Sequence, residues 1–195
     1  MKRVIDIFAS AFMLILLFPL GLVIALLIAC DSRGGVFYRQ SRVGRNNRDF
    51  TLYKFRTMRT DADRLGLLTV GARDSRITRV GYYLRKYKID ELPQLLNILV
   101  GDMSFVGPRP EVRKYVDLYN DEQKKVLSVR PGLTDYASIA YINENEILEK
   151  ADDKEQTYIN EIMPEKIKLN MKFIQNPSLC QYFKIIFLTI KSIFA

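Results

Sequence analysis

Asp90-Glu91-Leu92-Pro93-Gln94 sets two neighbouring carboxylates just after Arg85, Lys86 and Lys88. Those cations keep the carboxylates ionised and make the neighbourhood attractive to phosphate. An ionised carboxylate can attack a phosphoryl centre to give an aspartyl-phosphate type intermediate, and a second one beside it can hold a divalent cation. The plain alternative is a helix start, with Asp90 as N-cap and Pro93 in the tolerant first turn. Further along, Arg109 stands between Pro108 and Pro110. Proline fixes its own φ and holds the preceding residue extended, so the guanidinium is presented from a stiff scaffold, either as a phosphate fork or as a solvated arginine on a rigid turn. Arg39, Arg42 and Arg45, with Lys54 and Arg56, could bind a pyrophosphate or lipid headgroups, or form a solvated face.

The remaining composition narrows the chemistry. The 195 residues suit one functional unit with its own core. Histidine is absent, which excludes Ser-His-Asp triads, His proton shuttles and HExxH zinc sites. Cys30 and Cys180 cannot build a thiolate zinc site and make a poor disulfide framework, favouring a reducing compartment. No Walker-type loop or GxGxxG occurs, so any phosphate site is of neither P-loop nor Rossmann type. The net charge is +8, and it is unevenly placed: residues 33–88 carry fifteen basic side chains against four acidic ones, residues 111–166 eight against thirteen. The positive charge therefore belongs to a site facing phosphates, nucleic acid or an anionic membrane.

These groups need elements to position them. Residues 7–30 contain no charge, enough apolar length for a membrane helix. Basic residues on both flanks, Lys2 and Arg3 before and Arg33 to Arg48 after, would hold both ends on the cytoplasmic side. Pro19 with Gly21 predicts a kink between Phe18 and Leu20, and a re-entrant helix satisfies kink and charge together. A single span with a tolerated proline is the alternative, and a lipoprotein cleavage site at Cys30 is disfavoured by the length of the run and by Asp6. Val36-Phe37-Tyr38 and Phe50-Thr51-Leu52-Tyr53, separated by Gly44-Arg45-Asn46-Asn47, predict a small hairpin whose loops carry the arginines. Residues 78–87 read as a short helix or turn. Residues 91–100 read as a helix with Leu92, Leu95, Leu96 and Leu99 on one face, stopped by Gly101. Charged helices are predicted at 111–129 and 144–171, and an amphipathic one at 179–194 that packs as core or lies on the membrane. The class is α+β, mostly helical, divided into a membrane helix at 1–30 and a cytoplasmic catalytic domain at 31–195 with interfacial amphipathic helices.

The sequence resembles one family over nearly its whole length and in family order. The matching blocks are the apolar N-terminus with Pro19, Phe37-Tyr38-Arg39-Gln40 with Arg42-Val43-Gly44, Tyr53-Lys54-Phe55-Arg56-Thr57-Met58, Asp74-Ser75-Arg76-Ile77-Thr78, Leu84-Arg85-Lys86, Asp90-Glu91, residues 101–110, and Val129-Arg130-Pro131-Gly132-Leu133-Thr134. It is identified as a member of the bacterial sugar transferases, the monotopic phosphoglycosyl transferases acting on undecaprenyl phosphate, in what looks like their minimal catalytic form.

The resemblance implies transfer of a sugar-1-phosphate from a UDP-sugar to undecaprenyl phosphate with release of UMP. This would be the first membrane step of a bacterial glycan pathway, at the cytoplasmic face of the inner membrane. It implies that Asp90 carries a covalent phosphosugar, that Glu91 is its dyad partner, and that Mg2+ is required, with Asp90 and Glu91 its ligands. Lys54, Arg56, Arg85, Arg109, Arg39, Arg42 and Arg130 become the substrate-binding cations. Partners are then the UDP-sugar, undecaprenyl phosphate and membrane lipids, without nucleic acid, while a homodimer stays open. After Arg-Pro-Gly-Leu-Thr the family often continues Gly-Trp-Ala-Gln and reaches an arginine, whereas here Asp135-Tyr136-Ala137-Ser138 follows and no arginine stands near Ile142. Tyr136 can replace the tryptophan, and Asn143 or Arg130 are the candidates to replace the arginine. This region bears on the choice of sugar. The competing class is a membrane-anchored protein that binds anionic lipid or nucleic acid without chemistry.

Overall fold

The computed structural model describes residues 1–60, 62 and 74–194; Arg64 and Arg73 of the basic stretch lie outside them. The chain starts with α1 (Lys2–Asp31), which carries Pro19 inside a helix assigned without interruption. Its inner face packs lengthwise on the body. Ile5 joins a cluster with Tyr182 and Ile185, Met13, Leu14 and Leu17 join Leu52, Leu95, Ile98 and Met103, and Ile24 and Ile28 join Phe55 and Leu84. The opposite face leaves Phe8, Phe12, Ile15, Leu16 and Phe18 exposed.

The hairpin is longer than the sequence suggests. Strands β1 (Phe37–Val43) and β2 (Asp49–Phe55) pair antiparallel from Phe37↔Phe55 to Val43↔Asp49, and Asn46 and Asn47 supply the left-handed residues of the turn. Arg39 and Arg42 therefore lie in a strand rather than in a loop. Alternation along the strand sends them to opposite faces. Helix α2 (Arg79–Lys86) is capped by Thr78, whose Oγ1 accepts from Gly81 N at 3.0 Å.

The expected helix at 91–100 begins later. Lys88 takes a left-handed φ of 56°, a 3-10 turn follows at Ile89–Glu91, and α3 (Gln94–Val100) starts behind Pro93. Asp90 thus caps nothing; it sits inside the turn. The buried face of α3 is Gln94, Leu95, Asn97 and Ile98, while Leu96 is exposed, so the leucine stripe does not mark the inner face. The reason is Asn97: its Oδ1 accepts from Tyr53 N at 3.1 Å and its Nδ2 donates to Thr51 O at 2.7 Å. A side-chain amide here occupies the free edge of β2 as another strand would.

After Gly101 come β3 (Ser104–Val106), the short helices α4 (Arg113–Val116) and α5 (Asp121–Lys124), and β4 (Gly132–Thr134). A parallel pair joins β3 to β4, which the sequence reading did not include. It depends on glycine, because a Cβ on Gly107 or Gly132 would run into the other segment's backbone. The predicted helix at 111–129 is broken at Asp117 to Asn120, where Asn120 and Gln123 form a capping box for α5. That at 144–171 divides into α7 (Glu144–Glu149), which follows α6 (Tyr136–Ala140), then α8 (Lys154–Thr157), and, after a π-helical turn at Tyr158–Ile162, α9 (Met163–Gln175). The last helix, α10 (Leu179–Phe194), has the expected bounds. It buries Tyr182 and Ile185 completely yet exposes Phe183, Phe187 and Ile190, so its two apolar faces have different neighbours.

Candidate active site

A cavity of about 770 Å³ opens between the hairpin, the Asp90 turn, β3 and the C-terminal helices. The hairpin contributes Lys54, Gln40 and Arg42, the turn contributes Asp90 and Glu91 with Arg85 and Lys88 beside them, and the loop after β3 contributes Arg109.

Glu91 is clamped. Lys54 Nζ donates to its Oε1 at 3.0 Å, Arg109 Nη2 donates to the same oxygen, and Arg109 Nη1 reaches Oε2 at 3.3 Å. Burial alone would raise the Glu91 pKa, but Arg109 and Lys54 outweigh it and hold the carboxyl well below the usual range. Asp90, next in the chain, has the opposite environment. It is buried, no described side chain donates to its carboxylate, and desolvation pushes it up against the pull of Lys54. The two adjacent carboxylates are thus driven apart, Glu91 as a fixed anion and Asp90 as a poorly solvated one.

Arg109 is positioned through its backbone as well as its prolines. Asp135 Oδ2 accepts from Arg109 N at 2.8 Å and from Asn170 Nδ2 at 2.8 Å, while Oδ1 accepts from Ser138 N and caps α6. Asp135, like Asn97, is absent from the sequence-derived site. Its signal was present as an Asp three residues before Ser138 at a helix start, but nothing local ties it to Arg109.

Four of the seven predicted cations converge on the cavity: Lys54, Arg85, Arg109 and Arg42. Arg42 is pinned there by Gln40 Oε1 and Pro110 O, with Glu111 at 3.6 Å. The other three are not brought to it. Arg56 is 6% exposed and donates to the carbonyls of Ile28, Ser32 and Arg33, closing the C-terminal end of α1, where orphan carbonyls need donors. Arg130 Nε donates to Gly101 O at 2.8 Å, behind α3. Arg39 lies over the Tyr53 ring, 5.9 Å from its centroid, on the other face of the hairpin. Of the two candidates to replace the missing arginine, Arg130 is thus engaged with Gly101 and Asn143 is exposed. The cation on that part of the wall is Lys166, paired with Glu144 at 2.8 Å.

The described residues form no cluster of three acidic, thiol or imidazole groups able to hold a metal by themselves. Magnesium does not need one, since it keeps its waters and takes one or two carboxylates together with substrate phosphates. Asp90 and Glu91 meet that requirement. Oε2 of Glu91 accepts one long bond, from Arg109 Nη1 at 3.3 Å.

The sequence matches the family described as bacterial sugar transferase over residues 1–195. It is 40% identical over 195 residues to the UDP-N-acetylgalactosamine-undecaprenyl-phosphate N-acetylgalactosaminephosphotransferase of Aeromonas hydrophila, covering 98% of this chain and 43% of that protein. It is 39% identical to the undecaprenyl-phosphate glucose phosphotransferase of Komagataeibacter xylinus, covering 97% and 35%. A UDP-glucose:undecaprenyl-phosphate glucose-1-phosphate transferase of Caulobacter vibrioides is 37% identical, with 98% and 69% covered. The chain spans less than half the length of the first two.

Proposed function

Because the chain belongs to the bacterial sugar transferase family, we propose that it transfers a sugar-1-phosphate from a UDP-sugar to undecaprenyl phosphate and releases UMP. The observation that carries this reading is the contrast at the dyad: Glu91 locked by Lys54 and Arg109, Asp90 buried beside it without a side-chain donor among the described residues.

In the first step an Asp90 carboxylate oxygen bonds to the sugar-linked phosphorus, and the bridging oxygen of the pyrophosphate leaves with UMP. Lys54 and Arg109 face the oxygens on which charge gathers, held in place by Glu91 before substrate arrives, so little reorganisation is needed. In the second step a phosphate oxygen of the lipid attacks the same phosphorus and frees Asp90. Both steps exchange one P–O bond for another, so no proton or electron must be supplied. Magnesium, bound through Glu91 and Asp90 with the donor, would neutralise pyrophosphate charge. A covalent stage also lets a cytosolic donor and a bilayer acceptor use the site in turn.

The reading is supported by how α1 is fastened. At its start Arg3 donates to Ile98 O and Leu99 O, and Asp6 accepts from β3 and α10. At its end Arg56 closes the terminal carbonyls and Asp31 accepts from Val80 N at 2.9 Å. Both ends of this 30-residue helix are thus fastened to one body, which supports an arrangement with both on the same side of a bilayer. We therefore take α1 as a monotopic anchor, bent at Pro19, with its exposed apolar face in the lipid and the dyad at headgroup height on the cytoplasmic side. In a background with Cys30 and Cys180 changed to serine, cysteines introduced as Lys2→Cys and Arg45→Cys are both expected to resist an impermeant thiol reagent in intact cells. Labelling of only one rejects this topology.

The activity itself is tested by incubating the protein in nanodiscs with magnesium, undecaprenyl phosphate and a panel of UDP-sugars. UMP release with at least one donor, together with a lipid-linked diphosphosugar, is expected. Salt-sensitive lipid binding without UMP from any donor would mean a non-catalytic anchor instead.

A further inference from the structure

The clamp on Glu91 works only if Lys54 and Arg109 are each held where they are. Arg109 has its own backbone fastened, because Asp135 accepts from its N–H at 2.8 Å. For Lys54 the corresponding fastening lies one residue away. Tyr53 N donates to Asn97 Oδ1 at 3.1 Å, and Asn97 Nδ2 donates to Thr51 O at 2.7 Å.

Asn97 is 0% exposed in the middle of α3. An apolar residue would suit that position better on local grounds, since asparagine is a poor helix former and a buried amide is tolerated only with its hydrogen bonds made. Both ends of this amide are used, and one orientation alone satisfies them. Turned over, Nδ2 would face an N–H and Oδ1 a carbonyl. The backbone of Asn97 is held too: its carbonyl accepts from Gly101 N and from Met103 N, each at 3.1 Å, where Gly101 takes a φ of 104° and ends the helix. The side chain therefore projects from a stiff point on the helix that follows the dyad turn.

Pairing with β1 fixes β2 only within the hairpin. Leu52 packs with Leu95, Ile98 and Met103, but apolar contact is non-directional and leaves the hairpin free to slide. The two amide bonds remove that freedom at residues 51 and 53. Lys54 comes next, on the opposite face from Tyr53, where its Nζ donates to Glu91 at 3.0 Å. A slip of one residue would turn Lys54 away from the dyad. We infer that Asn97 is a positioning residue for Lys54: it registers the hairpin against α3 and so sets the ammonium on Glu91 before a pyrophosphate arrives. This deepens the transferase reading above and rests on it. Asn97 is not among the residues of the cavity wall, so its effect passes through the strand.

The test is a double-mutant cycle on the full chain in nanodiscs: the unaltered protein, Asn97→Ala, Lys54→Met and the double variant, each shown to be folded by its melting curve. Two quantities are measured. One is kcat/KM for UMP release, and the other is the Kd for UDP, which carries a pyrophosphate and stays readable if Lys54→Met turns over too slowly. Asn97→Ala is expected to weaken both by about tenfold with Lys54 present and by less than about twofold with Lys54→Met, a coupling of the size found between residues that act through one another. Equal losses in the two backgrounds would mean that Asn97 serves the fold alone and overturn the inference, as would no loss in either. Should Asn97→Ala not fold, Asn97→Ser takes its place in the cycle, with the same outcomes deciding. UMP release from no donor by the unaltered protein would refute the transferase reading, whereas UMP release with equal losses would refute only the role of Asn97.

Discussion

Asp90→Asn is expected to reduce UMP release by at least about 10³-fold, with or without acceptor, because the nucleophile proposed to open the pyrophosphate is gone. It is also expected to raise the melting temperature. Desolvation holds the Asp90 carboxyl above its ordinary value in the folded protein, so the folded state resists its ionisation more than the unfolded chain does. That cost to stability is fully present above the folded pKa, diminishes as the pH falls, and vanishes below the unfolded value of about 3.9. The variant's advantage should therefore be largest near neutrality and disappear in acid. The acid limb of kcat/KM for the unaltered protein should lie above the normal aspartate range, because catalysis needs the ionised form. Full turnover in the variant, or mass spectrometry that never finds a phosphosugar on Asp90 in the unaltered protein, would remove the residue from its role.

Glu91→Gln is expected to lose activity too, with stability moving the other way. The Glu91 carboxyl lies well below its unfolded value, so its contribution is fully present above that value and is lost only as the pH falls through the folded one. At neutral pH the substitution leaves Lys54 and Arg109 facing each other without their shared counter-charge. Breaking a buried pair by removing one partner costs about 3–5 kcal/mol. Arg109 keeps 33% of its side-chain surface, so the lower end applies. That is a fall of roughly 6–12 °C at this chain length. kcat/KM should drop about 10²–10³-fold as the two cations lose their orientation. Melting curves at pH 7 in nanodiscs separate the two carboxylates: Asn at 90 shifts the curve up and Gln at 91 shifts it down. Equal shifts would mean that they are interchangeable, against the geometry.

Much of the site was legible from spacing and type. The dyad, its flanking cations and the proline-held Arg109 were recognisable because charge clusters and proline restrictions act over a few residues. The same locality explains the errors. Arg56 reads as one more cation of the basic stretch, yet its fate depends on carbonyls at Ile28, Ser32 and Arg33. Asp90 reads as a cap because Pro93 and the leucines suggest a helix start. The left-handed Lys88 and the 3-10 turn that displace it pack against α2 and β2, which are distant from one another in sequence. Asn97 and Asp135 escaped notice altogether, since neither contacts a catalytic group near it in sequence.

The sequence by itself determined that a long N-terminal helix with an uncharged run at residues 7–30, an amphipathic C-terminal one and a basic stretch with two adjacent carboxylates belong to one chain. Each of these follows from composition within a window of a helix or less, where side-chain chemistry and backbone preference are decided locally. Only the tertiary structure decided which carboxylate is neutralised and which is left poorly solvated, which arginines enter the cavity, and that α1 and α10 together line it. Those outcomes depend on solvent exclusion and on donor–acceptor pairs between segments tens of residues apart, such as Lys54 with Glu91 and Asp6 with Tyr182. Desolvation and ion pairing exist only once the segments have met, so no local pattern can encode them.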